Sequence, residues 1–311
     1  LIAIAEEHLA WCAEEGRRAA AEMGHDGDWH AAVEAVKGLH VPPGEMDELV
    51  AAQGREAVEF VTSRGQMGGD PLCAELWRLE MISREGQRTL PFAAYSGNRM
   101  LVAYPTEDMA HDTKEMSLRG NNRHFSRIVV PHELIPGHHL QLFHAERENR
   151  HRRLFRTPFL VEGWALYWEM RLWEQGWAQG PEDRIGMLFW RKHRCARVIV
   201  TLRFHLGRMT TAEMIDFLIE RVGLERDGAT AEVRRYVGGG YGPLYQCAYL
   251  IGGLQLRALH REVVERGGMG EREFHAAVLR QNSIPIEAVR WALGVAPAPE
   301  PGAAPAWRFA D

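Results

Sequence analysis

His132, Glu133, His138 and Glu162 are the residues of this 311-residue chain whose types and spacing suit a catalytic metal. They lie in two runs, His132-Glu133-Leu134-Ile135-Pro136-Gly137-His138-His139 and Glu162-Gly163-Trp164-Ala165-Leu166-Tyr167-Trp168-Glu169. A metal that activates water needs neutral imidazoles and a carboxylate as ligands, an open coordination position, and a second carboxylate to take a proton from the bound water. His132, His138 and Glu162 fill the ligand roles, Glu133 fills that of general base, and zinc is the expected divalent ion.

The first run departs from the common zinc-peptidase pattern HExxH, in which two histidines one helical turn apart reach one ion. On an ideal helix His138 would be rotated by about 240° from His132 and lie about 9 Å further along the axis. Pro136-Gly137 is the expected remedy. Proline removes a backbone donor and clashes with the preceding turn, glycine permits unusual dihedrals, and a break there can carry His138 back toward His132. His139 is the competing ligand: it returns to the same face, but about 10.5 Å along the axis. In the second run Glu162 and Glu169 share one helix face. The stretch after His138 is long enough for one helix and a turn that returns antiparallel, which lets Glu162 meet the histidines.

HELIPGHHLQ followed by EGWALYWE closely resembles the motifs HExxPGH and EGWA of a widespread bacterial family of unknown function. The fold of that family looks like that of the thermostable carboxypeptidase Taq type of zinc metallopeptidase. The resemblance extends more weakly to Pro243, Tyr249 and Gly252, and this chain has Pro243-Leu244-Tyr245 where the family usually has a Pro-Gly-Gln segment. It implies a helical metallopeptidase-like fold. It also implies that the chain corresponds to roughly the C-terminal half of the family's usual length.

Other polar groups have plainer readings beside functional ones. His144 and His151, next to Arg147, Arg150, Arg152 and Arg153, read as a solvated helix face. Gln141 is placed to steady a metal ligand. Asn121, Asn122, Arg123 and His124 offer groups for a substrate carboxylate, but read first as a polar loop. An oxyanion needs a donor aimed at it, and Tyr236, Tyr241, Tyr245 and Tyr249 cluster around a glycine-rich turn. Tyr241 and Tyr245 are the expected donors. The segment Leu101 to Tyr104 is a possible edge for an extended peptide.

The elements that must position these groups are mainly helical. Ile2 to Met23 is amphipathic, Asp28 opens a short helix, and Pro42-Pro43-Gly44 precedes a long one from about Glu45 to Ser63. Residues 90–104 carry the one clear β signal, a small hairpin or kinked strand around Ser96-Gly97-Asn98. Helices then return: Gly186 to Leu206, one opened by a Thr210/Glu213 capping box and ended by Gly223, Ala229 to Val237, Pro243 to about Arg266, and a last one from Ile286 to Leu293. The Pro/Ala-rich tail from Ala296 reads as irregular. The expected organisation is one metallopeptidase-like domain over residues 1–311.

Composition narrows the function classes. With 46% hydrophobic and 25% charged residues and a net charge of −5, the chain reads as a globular protein with mixed charges and no long basic run for phosphates, which argues against nucleic acid. No apolar stretch approaches the roughly 20 residues that cross a bilayer. Cys12, Cys73, Cys195 and Cys247 form no CxxC pair and read as reduced core residues, which favours the cytoplasm. The expected activity is zinc-dependent hydrolysis of amide bonds in peptides or small amides. Two rivals stand beside it: a non-haem iron oxygenase, which also uses two histidines and one carboxylate, and a degenerate metalloprotein that binds a peptide or partner without cutting it.

Overall fold

A computed structural model of the chain describes residues 1–87, 90, 92–300 and 302–303. The fold is mainly helical with one small three-stranded sheet. The chain divides into two compact units. One comprises Leu1–Gln53, Arg78–Val130 and Leu172–Cys247, and the other Gly54–Trp77, Pro131–Arg171 and Ala248–Asp311.

In the first unit the expected helix boundaries form by the expected chemistry. Asp28 caps the helix Trp29–Lys37 by accepting from the backbone N–H groups of His30 and Ala31. Thr210 and Glu213 complete their capping box, and Gly223 ends the helix Thr211–Val222 at a φ of 95°, in the left-handed region that glycine tolerates. The long helix runs Pro181–His205, five residues further toward the N-terminus than Gly186, because Pro181 occupies a first-turn position where a missing N–H costs nothing. Helix Ile2–Glu22 packs along it and buries Ala5, Leu9, Cys12, Ala19 and Ala20.

The polar residues on the apolar helix Pro181–His205 are explained by a buried cluster. His193 Nε2 lies 2.8 Å from the Tyr236 hydroxyl, which donates to Glu232 at 2.5 Å, and Arg197 and Arg235 reach the same carboxylate at 3.2 and 2.8 Å. Burial alone would raise Glu232, but Arg235, His193 and Arg197 hold its carboxyl well below the usual range.

The hairpin forms with strands Ala93–Ser96 and Arg99–Val102 paired antiparallel. Gly97 and Asn98 both take positive φ, 54° and 63°, as a two-residue turn requires. A further strand, Arg78–Met81, pairs in parallel with Arg99–Val102. Its four residues were too short to show a period. Residues 88, 89 and 91 of the expected β segment lie outside the described residues, as do 301 and 304–311 of the tail.

The second unit is built on the helices Pro71–Leu76, His138–Ala145, most of Pro158–Glu174, Ala248–His260, Glu271–Arg280 and Ile286–Ala292. The expected helix from Pro243 is divided. A short 3-10 turn Tyr245–Cys247 precedes Ala248–His260, and a π-helical turn Arg261–Glu265 follows. Trp164, Tyr167, Trp168, Leu250, Ile251 and Phe274 fill its core. Two glycines let the helices Pro158–Glu174 and Ala248–His260 cross backbone to backbone. A Cβ on Gly252 would stand 2.0 Å from the Phe159 carbonyl oxygen, and one on Gly163 would stand 2.5 Å from the Gly252 carbonyl carbon.

His275 is locked in this core. Its Nδ1 donates to the Gln66 carbonyl at 2.7 Å, leaving Nε2 to accept from the Tyr167 hydroxyl at 2.8 Å. Burial lowers its pKa to about 4 from the ordinary 6.5. Between those values the unfolded chain binds the proton and the folded one does not, so stability falls as pH drops from about 6.5 to about 4, by about 3 kcal/mol for this group. Urea unfolding at pH 7, 5.5 and 4.5 is expected to show that loss, and a His275→Gln variant a flatter dependence. An equal slope in the variant would contradict the assignment.

Candidate metal centre

The two histidines meet because the helix carrying the first of them stops. Helix Arg123–Glu133 ends directly after His132 and Glu133, Leu134 to Gly137 form a turn containing a cis Ile135–Pro136 peptide, and His138 opens the helix His138–Ala145. The Gly137 N–H returns to the Pro131 carbonyl at 2.9 Å. This break at Pro136-Gly137 is the one the spacing demanded. It places the His132 and His138 rings 4.8 Å apart at 89°, and candidate ligand atoms of His132, Glu133 and His138 within 4.8 Å of one another.

Two anchors hold the turn. The Trp164 indole N–H donates to the Pro136 carbonyl at 2.8 Å, which gives the tryptophan of the second run a structural role. His139 Nε2 donates to the Cys73 carbonyl at 2.7 Å. His139 is fully buried and turned to that carbonyl, away from the ligand role considered for it. Burial holds its pKa below the usual imidazole value, with Arg147 adding to the effect and the Cys73 carbonyl opposing it.

Glu162 arrives from helix Pro158–Glu174 with Oε2 at 3.2 Å from His138 Nε2. Two atoms each about 2.0–2.2 Å from one zinc at a tetrahedral angle stand about 3.3–3.5 Å apart, close to this separation, which is equally that of an ordinary imidazole–carboxylate contact. One turn-pair further along the same helix, Glu169 Oε1 lies 2.6 Å from His132 Nδ1, without the alignment of a linear hydrogen bond. That contact leaves Nε2 as the His132 ring nitrogen that does not face Glu169. His132, His138, Glu162 and Glu169 are all buried, at 3, 8, 8 and 5% exposure, and Glu133 is half-buried. Among the described residues the ligand atoms that converge as a metal site needs are those of His132, Glu133 and His138, and Glu162 lies outside that group.

Glu169 and Tyr249 are the residues that sequence reasoning did not assign. Glu169 was visible as the second carboxylate on the face of Glu162. The Tyr249 ring stacks on His132, with centroids 6.4 Å apart and planes at 12°. It stands one turn before Gly252, so the glycine crossing that brings the two helices together also delivers the tyrosine. Tyr241 and Tyr245, the expected oxyanion donors, lie in the first unit, with their rings 4.2 Å from each other.

The remaining polar candidates take structural roles. Asn122 caps helix Arg123–Glu133 by accepting from the N–H groups of His124 and Phe125. His124 pairs with Asp183 at 2.6 Å. Gln141 donates to the Ser283 hydroxyl at 2.8 Å rather than to a metal ligand, and His144 contacts Glu148 at 2.8 Å. All four cysteines are buried free thiols, as their apolar contexts suggested. Among the described residues no helix is long and apolar enough to cross a membrane.

Known proteins place the chain by fold. No curated protein matches it. A solved structure described as a putative lipoprotein of unknown function from Shewanella oneidensis superposes with a TM-score of 0.78 at 20% identity, over 94% of this chain and 55% of that one. A second, described as a putative lipoprotein from Colwellia psychrerythraea, gives 0.75 at 21% identity, over 94% and 51%. The chain thus spans about half the length of the solved structures it matches, and at these identities the likeness establishes the fold alone. Residues 1–293 match the family described as bacterial protein of unknown function (DUF885), and the chain belongs to that family.

Proposed function

We propose that His132, His138 and Glu162 hold one zinc ion and that the protein hydrolyses amide bonds in peptides or small amides. The observation that carries this reading is the broken helix: a turn at Pro136-Gly137 brings two histidines together, with Glu162 at ligand distance from one and Glu169 against the other. The resemblance of HELIPGHHLQ and EGWALYWE to a bacterial family whose fold looks like that of carboxypeptidase Taq-type zinc peptidases supports the same chemistry. Zinc held there would supply a Lewis acid and a bound water of lowered pKa. Glu133, adjacent to His132 and half-buried, takes a proton on its carboxylate and returns it to the leaving amine. Tyr249, whose ring stacks on His132, is the phenol proposed as oxyanion donor. The four free thiols support a reducing compartment, and we keep the cytoplasm as the proposed location.

Metal analysis of protein purified without chelator, followed by digestion of a peptide library, tests the reading. One equivalent of zinc with peptide cleavage is expected. Iron with oxygen-dependent turnover would establish the oxygenase alternative, and stoichiometric zinc without cleavage the degenerate binder. Zinc titration of variants separates the ligands. His138→Ala is expected to lose stoichiometric binding, His139→Ala to keep it, and Glu169→Gln to weaken it by about 10- to 100-fold. Loss in the His139 variant with retention in the His138 variant would overturn the ligand set.

A further inference from the structure

The stretch between the helices His138–Ala145 and Pro158–Glu174 contributes none of the candidate metal ligands, and its charge runs against a chain total of −5. Arg147, Arg150, Arg152, Arg153 and Arg156 stand there against Glu146 and Glu148, with Leu154-Phe155 among them. Arg150–Phe155 forms a 3-10 turn in which no residue is buried. Leu154, at 88% exposure, and Phe155, at 64%, are the two most exposed large apolar side chains among the described residues. Adjacent apolar side chains held in water mark an interaction surface.

The turn is fastened at its base and open at its tip. Asn149 donates to the Arg280 carbonyl at 2.7 Å, and Asn282 donates to the Ala145 and Glu148 carbonyls at 2.7 and 2.8 Å. Arg152 donates to the Gln281 side chain, and the Thr157 N–H to the Ser283 carbonyl at 2.9 Å. Residues 280–283 thus hold both ends of the turn, so its tip is presented in one place. The local acids are engaged elsewhere: Glu148 contacts His144 at 2.8 Å, and Glu146 faces Arg147. Arg150, Arg153 and Arg156 are exposed and make no ion pair or side-chain hydrogen bond among the described residues.

These features select an occupant by its chemistry. Unpaired guanidiniums match phosphate, whereas Leu154 and Phe155 between them match an apolar medium. A standard protein interface takes about 20–30 residues a side, and this exposed element has six. An anionic bilayer needs no matching shape: arginine heads lie at the phosphates with their stems along the acyl boundary, and apolar side chains enter just below. We propose that the turn Arg150–Phe155 attaches this protein peripherally to membranes containing anionic phospholipid, with Leu154 and Phe155 inserted and Arg150, Arg153 and Arg156 on the headgroups. Each arginine at such a surface contributes about fivefold in partitioning. The attachment does not depend on the metal centre.

The test is cosedimentation of the whole chain with vesicles of phosphatidylcholine, either alone or with about 30 mol% phosphatidylglycerol. Binding to the anionic vesicles is expected to be at least tenfold stronger than to the neutral ones, and to be lost at about 0.5 M salt, where the Debye length is about 4 Å. The combined Arg150→Gln, Arg153→Gln and Arg156→Gln variant is expected to lose about 100-fold. Leu154→Ser with Phe155→Ser, which leaves every charge in place, is expected to lose about tenfold. All these positions are exposed, so both variants are expected to keep the wild-type thermal midpoint. Because the four native thiols are buried, a nitrobenzoxadiazole dye on Leu154→Cys reads insertion directly, and its emission is expected to rise and shift to the blue on anionic vesicles only. Should either multiple variant fail to fold, the dye decides alone. Equal binding to neutral and anionic vesicles, full binding by either variant, or an unmoved dye would each overturn the proposal. So would tighter binding to a single-stranded oligonucleotide than to the anionic vesicles, or a lipid-free dimer lost in the serine variant, which would give the tip to a second copy of the chain.

Discussion

Glu133→Gln is expected to bind zinc as the unmodified protein does and to hydrolyse peptide about 10²- to 10⁴-fold more slowly, the usual contribution of a positioned general base. The amide has the size and shape of the carboxylate but cannot accept a proton at neutral pH, so the substitution removes one function and little else. Glu133 is the last residue of helix Arg123–Glu133, one position after a buried ligand candidate, and its half-buried side chain keeps contact with solvent. Zinc content and thermal midpoint are therefore expected to stay unchanged while turnover falls. Steady-state hydrolysis of a peptide found in the library digest is the measurement. Unchanged turnover with zinc bound would remove Glu133 from the mechanism without touching the metal assignment.

Gly137→Ala is the second large effect, and it tests the break itself. A Cβ at this position would stand 1.9 Å from the His132 carbonyl oxygen and 2.6 Å from that of Pro131. Both obstacles are backbone, so no side-chain rotation relieves them. The turn must open, and with it the approach of His138 to His132. A loss of about 3–5 kcal/mol is expected, in the upper range of single substitutions, together with loss of stoichiometric zinc. Gly240→Ala is the control, since its added Cβ would meet nothing within 4 Å, and it is expected to change stability by less than about 0.5 kcal/mol. Urea unfolding and zinc titration of the two variants measure both effects. A Gly137→Ala protein with full stability and full zinc binding would show that the turn does not position the histidines.

Much of this was legible in the linear chain. The capping residues Asp28, Thr210 and Glu213 act on backbone groups two or three residues away, so their sequence neighbours suffice to read them. The Gly97-Asn98 turn is equally local. The requirement for a break between His132 and His138 also followed from helix geometry and two adjacent residues. Partners distant in sequence were harder to read. The strand Arg78–Met81 has meaning only beside Arg99–Val102, and His275 carries no sign in its neighbourhood that it will bond Gln66 and Tyr167.

The amino-acid sequence by itself determined that this protein would be mainly helical, that its candidate metal ligands would lie in His132 to His139 and Glu162 to Glu169, and that proline and glycine must interrupt the first run. Tertiary structure alone decided which histidine faces Glu162, because the choice depends on a hydrogen bond from His139 to the distant Cys73 carbonyl. It also decided which tyrosine stacks on His132. Gly163 and Gly252, far apart in the chain and lacking side chains, let two helices approach closely enough to set Tyr249 there. Local propensity acts over a few residues, whereas a site of this kind is set by close approaches between segments that have no sequence relation to one another.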